Sequence, residues 1–152
     1  MGTLLVTLHV LTAIFLIGPL TLAPFIGLRA VVRRDADAVR RAARTTMLLA
    51  GASGLVFLLG IAATANSDVI HYSTPWVVIS ITLSVIALVG LLLVAAPSLR
   101  TVAGMIDDGT IASDAHAKAK MDSLRGRIGA SAGLAALAWA LVVILMMTKP
   151  FS

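Results

Sequence analysis

The chain contains no cysteine and no glutamate, and only 12% of its 152 residues are charged and 5% aromatic. The missing cysteine excludes disulfides, thiolate zinc sites and thiol nucleophiles. All 7 acidic residues are Asp, outnumbered by 12 Lys and Arg. Soluble domains average about 25% charged residues, so an ordinary water-facing surface is excluded as well. What the chain has instead is 59% apolar residues and a mean hydropathy of +1.02.

The apolar residues are concentrated. Four windows hold no Asp, Glu, Lys or Arg: Met1 to Leu28, Thr45 to Ser67, Val69 to Leu99 and Ile128 to Thr148. A bilayer core about 30 Å thick requires about 20 helical residues, and every window meets that length. Helices are the form expected, because isolated strands leave backbone groups unpaired in hydrocarbon and no window alternates with period two. The expected fold is an all-α integral membrane protein, a four-transmembrane-helix bundle in a single domain over residues 1–152, with spans at about 3–28, 45–65, 76–97 and 128–148. The first window reads as a retained span, since no Lys or Arg precedes Leu4 and Pro24 directly follows the small-residue stretch Thr21-Leu22-Ala23.

The bases set the expected orientation. Arg29, Arg33, Arg34, Arg40, Arg41 and Arg44 lie between spans one and two, and Arg100, Lys118, Lys120, Arg125 and Arg127 between three and four. The positive-inside rule places both connections in the cytoplasm and both termini outside. Each connection reads as a helical hairpin extending from the membrane. Asp35 or Asp37 can cap the segment leading into span two, and the third helix should run to Asp107-Asp108-Gly109. Ser113 or Asp114 can open the fourth. The basic balance therefore points to a bilayer with anionic headgroups, met by Arg33, Arg34, Arg40 and Arg41, and not to nucleic acid. Pro19 and Pro24 each remove a helical hydrogen bond, which predicts a kink in span one.

No acidic or basic residue lies within a span, which argues against an ion-coupled carrier or pump. His9, two turns into span one, is the exception. A neutral imidazole has one nitrogen free for a metal or haem iron. The other role open to it is a hydrogen bond to Ser, Thr or a backbone carbonyl of a neighbouring helix. His71, in the loop on the same side, and Met146 and Met147, at the end of span four, are weak companion ligands; imidazole and thioether suit copper or haem. Trp76 reads as an interfacial anchor, and Trp139 as facing the bundle. The small-residue stretches Gly51 to Gly54 and Gly129 to Gly133 are the expected surfaces for docking other helices, in a homo-oligomer or with a membrane partner.

Leu8-His9-Val10-Leu11-Thr12-Ala13-Ile14-Phe15-Leu16-Ile17-Gly18-Pro19, the arginines after it, and Ser73-Thr74-Pro75-Trp76 opening span three carry a family resemblance. The layout resembles a loose superfamily of small bacterial membrane proteins: copper-resistance D-type proteins, J-type protoporphyrinogen oxidases, and an uncharacterised domain-of-unknown-function family of about this length. The resemblance implies a multi-pass protein of the bacterial cytoplasmic (inner) membrane. It also places His9 at the first-span histidine that is a haem-ligand candidate in the oxidase branch, with haem b or copper as the cofactor. Ser80, however, stands where that branch has a Lys, and Phe15, Leu16 and Ile17 stand where it has a Trp. Protoporphyrinogen oxidation is therefore not expected. Three functions remain: haem or metal binding through His9 in a redox or copper-handling role, a non-catalytic accessory or assembly subunit of a larger membrane complex, or a small passive transporter, for which the uncharged polar groups of the outer half speak.

Overall fold

A computed structural model describes residues 2–66, 74–109 and 114–148. The order is α1 (Gly2–Val32), α2 (Ala36–Ala52), α3 (Gly54–Ala65), α4 (Pro75–Gly90), a π-helical turn (Leu91–Ala95), α5 (Ala96–Asp107) and α6 (Ala115–Thr148). The described residues contain no strand. α2 with α3, and α4 with α5, form near-continuous rods, so four helical units are long and apolar enough to cross a membrane.

The helix ends are set by local chemistry. α1 closes through Arg34, whose φ of 54° is left-handed. Asp35 N–H then donates to Ala30 O at 3.1 Å and Arg34 N–H to Val31 O at 3.0 Å, the two bonds of a Schellman cap. Asp35 caps α2 by accepting from Ala38 N–H at 2.9 Å. Asp114 accepts from His116 N–H at 2.8 Å at the start of α6. α5 stops where Gly109 turns left-handed at φ 64°, as the Asp-Asp-Gly stretch predicts.

Two rods change geometry inside the apolar run. At Ser53 the α2–α3 rod makes a turn, while the buried hydroxyl donates to Leu49 O at 2.8 Å. In the third rod the cause is Pro97, which has no N–H and whose ring crowds the carbonyl four residues earlier. Widening the preceding turn to π geometry, with Ala96 N–H donating to Leu91 O, accommodates it. α1, by contrast, remains one helix through both Pro19 and Pro24.

Packing is uneven along the bundle. Near the arginine-rich end all four rods share a core of Ala30, Val31, Val39, Ala43, Leu99, Val102, Ala103, Met121, Leu124 and Ile128. A second layer, midway along, joins Leu20, Ala50, Ala87, Leu91, Ala95, Ala135, Ala138 and Trp139. Toward the ends carrying the termini the rods pack as pairs, α3 chiefly on α1 and α4 chiefly on α6. From Thr3 to Pro19 no residue of α1 is buried, and Val56 is the one buried residue of α3.

Gly27 shows how close the approach is in the tight half. A Cβ there would stand 2.7 Å from Leu99 Cδ2 and 3.1 Å from Ala42 Cβ. The stretches expected to dock helices behave differently. Among the described residues, Gly51, Gly54 and Gly133 have nothing within 4 Å of where a Cβ would stand, and Gly129 meets only Leu28 Cδ1 at 3.8 Å. The close approaches among these residues are thus at Gly27 and Gly60.

Candidate functional site: a histidine between spans one and two

His9 is half-buried where α1 lies on α3. Its Nδ1 is 2.9 Å from Val56 O. A carbonyl oxygen only accepts, so Nδ1 carries the proton and donates; in the neutral ring this puts the lone pair on Nε2. Residues 56 and 60 are one turn apart on the same face of α3, and Gly60 makes the bond possible. A Cβ at Gly60 would stand 2.9 Å from His9 Cε1, 3.2 Å from Nδ1 and 3.7 Å from Nε2. Having no side chain, Gly60 admits the ring to the helix surface and uncovers the Val56 carbonyl beneath it.

The hydroxyls nearby are already committed. Thr12 Oγ1 donates within α1, at 2.8 Å to Leu8 O and 3.0 Å to His9 O. Thr64 Oγ1 donates to Gly60 O at 3.0 Å. The backbone carbonyl on another helix, one of the partners open to an intramembrane histidine, is therefore the one His9 uses.

The companion ligands are less concentrated. His71 lies outside the described residues, as do Asp68, Tyr72 and Ser73. Met146 and Met147 are exposed, Met147 at 81%. Among the described residues no three His, Asp or Glu side chains come together as a metal cage. The nitrogen that His9 has left for a ligand is Nε2.

The tryptophans divide differently from expectation. Trp139 is buried in the mid-bundle layer, as its position in span four predicts. Trp76, expected at the interface, is instead 7% exposed. It and Ser80 are one turn apart on α4, a helix that packs chiefly on α6, so that face turns inward. Trp76 Nε1 and Ser80 Oγ are both buried without a hydrogen-bond partner among the described residues. Nothing in the composition distinguishes these orphans from ordinary packing polar groups.

At the opposite end the four arginines expected to meet headgroups are all exposed. Arg40 differs in that its guanidinium donates to Asp37 at 2.5 Å and also to Asp107, tying α2 to α5. Asp37 lies before the apolar run, where the Arg40 guanidinium, by hydrogen bonding and then by charge, holds its carboxyl below the usual range.

Four long apolar helices with their charges gathered in the connections define a four-helix integral membrane protein. More particularly, the chain belongs to the DUF2269 family of predicted integral membrane proteins, which it matches over residues 3–150. No functionally curated protein and no solved structure matches it.

Proposed function

We propose that this protein is a non-catalytic accessory or assembly subunit that docks other transmembrane helices, with His9 serving as a latch between its own first two spans. The carrying observation is the exposed face of span two. Leu48, Gly51, Leu55 and Leu58 recur at helical spacing, all exposed, and open space surrounds Gly51 and Gly54. In hydrocarbon, small residues among larger apolar ones allow a second helix to approach closely and gain van der Waals contact. The excess of bases at the other end supports a bacterial inner-membrane orientation with that end in the cytoplasm and both termini outside.

Because the chain lacks cysteine, Gly51→Cys provides a unique crosslinking handle in native membranes. The expected result is a discrete adduct from Gly51→Cys, with none from Leu93→Cys, an exposed site on another rod. Equal, diffuse labelling of both variants would refute the docking face.

A second reading is favoured by the tautomer of His9. Metal-ligating histidines typically donate their other ring N–H to a carbonyl or carboxylate, and His9 Nδ1 does so to Val56 O. The resemblance of the Leu8 to Pro19 stretch to haem-synthesis and copper-resistance proteins supports the same idea: haem or copper held through Nε2. An absorption spectrum and metal analysis of protein from haem- and copper-replete cells separate the two readings. The accessory reading expects neither a Soret band nor stoichiometric copper. Either one, abolished by His9→Ala, would replace it with the second.

A further inference from the structure

The structure assigns an anionic phospholipid site to the arginine-rich end of the groove between α1 and α6, with the phosphodiester between Arg29 and Arg125 and an acyl chain running back from it over Leu28 toward the apolar run. α1 and α6 lie side by side there, with Leu28 Cδ1 3.8 Å from where a Cβ on Gly129 would stand. One turn toward the basic end the groove opens into a shallow cavity of about 390 Å³ lined by Leu28, Arg29, Val32, Asp122 and Arg125. Its lining thus brings together a base from each helix, Arg29 and Arg125, with Asp122 and the apolar Leu28 and Val32.

Depth and charge identify the occupant. Arg29 comes directly after the first apolar run and Arg125 precedes the fourth by three residues, so both stand where hydrocarbon gives way to headgroups. Leu28, on the hydrocarbon side of Arg29, also lines the cavity and gives an acyl chain an apolar surface that a free anion does not use. Guanidinium binds phosphate oxygens bidentately, and basic pockets between transmembrane helices suit anionic headgroups. Asp122 stands 3.6 Å from Arg125, a loose pairing, with both side chains partly exposed. The lining therefore sums to one positive charge, matching the single negative charge of a phosphatidylglycerol-type phosphodiester. Arg33, one turn beyond Arg29, adds a further base on the same face of the chain.

The test is native mass spectrometry of the purified chain titrated with phosphatidylglycerol or phosphatidylcholine. Wild type should retain phosphatidylglycerol selectively. The double variant Arg29→Gln/Arg125→Gln should lower that selectivity by about ten- to thirtyfold, the effect of two interfacial bases. A charge-matched control, Arg44→Gln/Arg100→Gln, removes two exposed bases that do not line the cavity and should keep it. Asp122→Asn should bind phosphatidylglycerol at least as well as wild type. Equal loss in the two double variants overturns the site in favour of bulk charge. No selectivity in wild type overturns it outright. Retention of inorganic phosphate with the same Arg29 and Arg125 dependence overturns the lipid assignment, because the apolar surface at Leu28 then contributes nothing.

Discussion

Placing a methyl group on Gly60 tests the latch directly. The added Cβ would stand 2.9 Å from His9 Cε1 and 3.2 Å from Nδ1, so the ring must retreat by about 0.5–1 Å to reach ordinary contact. Nδ1 is tethered at 2.9 Å to Val56 O, and that retreat carries the pair beyond hydrogen-bonding distance. A hydrogen bond between membrane helices is worth about 0.6 kcal/mol on average and up to about 1.7. Where the N–H is left buried and unpaired, the whole loss is instead about 1–3 kcal/mol. Against this, Gly→Ala in a helix interior gains about 0.8–1.0 kcal/mol. Gly60→Ala alone should therefore cost up to about 2 kcal/mol, but in a His9→Ala background, where no ring is struck, it should stabilise by about 1 kcal/mol. The resulting coupling is about 1–3 kcal/mol, measured as a double-mutant cycle by detergent-driven unfolding in mixed micelles. A coupling below about 0.5 kcal/mol would refute the contact, since independent sites add to within that margin.

Gly27→Ala should be worse, losing about 1–3 kcal/mol in the same assay, because its Cβ meets the fully buried Leu99 and the immobile Ala42 Cβ; an unfolding midpoint no lower than that of Gly51→Ala would contradict the packing. Ser80→Ala removes a buried hydroxyl with no partner among the described residues, so it should be neutral or stabilising by about 1 kcal/mol, and a clear destabilisation would show that the hydroxyl is bonded after all. Arg34→Gly relieves a left-handed non-glycine residue at the end of α1 and should raise stability by about 1 kcal/mol; a fall in the midpoint would show that the arginine side chain outweighs its backbone. Asp37 has a folded pKa lowered by Arg40, so the stability it adds is present above the unfolded carboxylate value of about 3.9 and is lost as pH falls through the lower folded one. The midpoint difference between wild type and Asp37→Asn should accordingly be constant from about pH 5 to 8 and shrink below about pH 4; a difference that grew on acidification would reverse the assignment.

The sequence by itself determined the fold class, the four spans and the places where the helices stop. Those properties rest on short-range causes: hydrocarbon thickness fixes the length of an uncharged run, Asp35 and Asp114 cap the helices they precede, and Gly109 supplies a left-handed turn at no steric cost. His9 was likewise visible as the ionisable group deep in a span. Only the tertiary structure decided what it touches, because the Val56 carbonyl and the missing Gly60 side chain lie 47 and 51 residues away along the chain and no local pattern links them. The same holds for the glycines: composition marked Gly51 to Gly54 and Gly129 to Gly133 as surfaces for other helices, and only the packing singles out Gly27 and Gly60 as close approaches within the bundle, since which face of a uniformly apolar helix turns inward is set by its neighbours and not by its own periodicity. Trp76 went inward for that reason too, and Arg29 met Arg125 across a groove that exists only once α1 and α6 are packed.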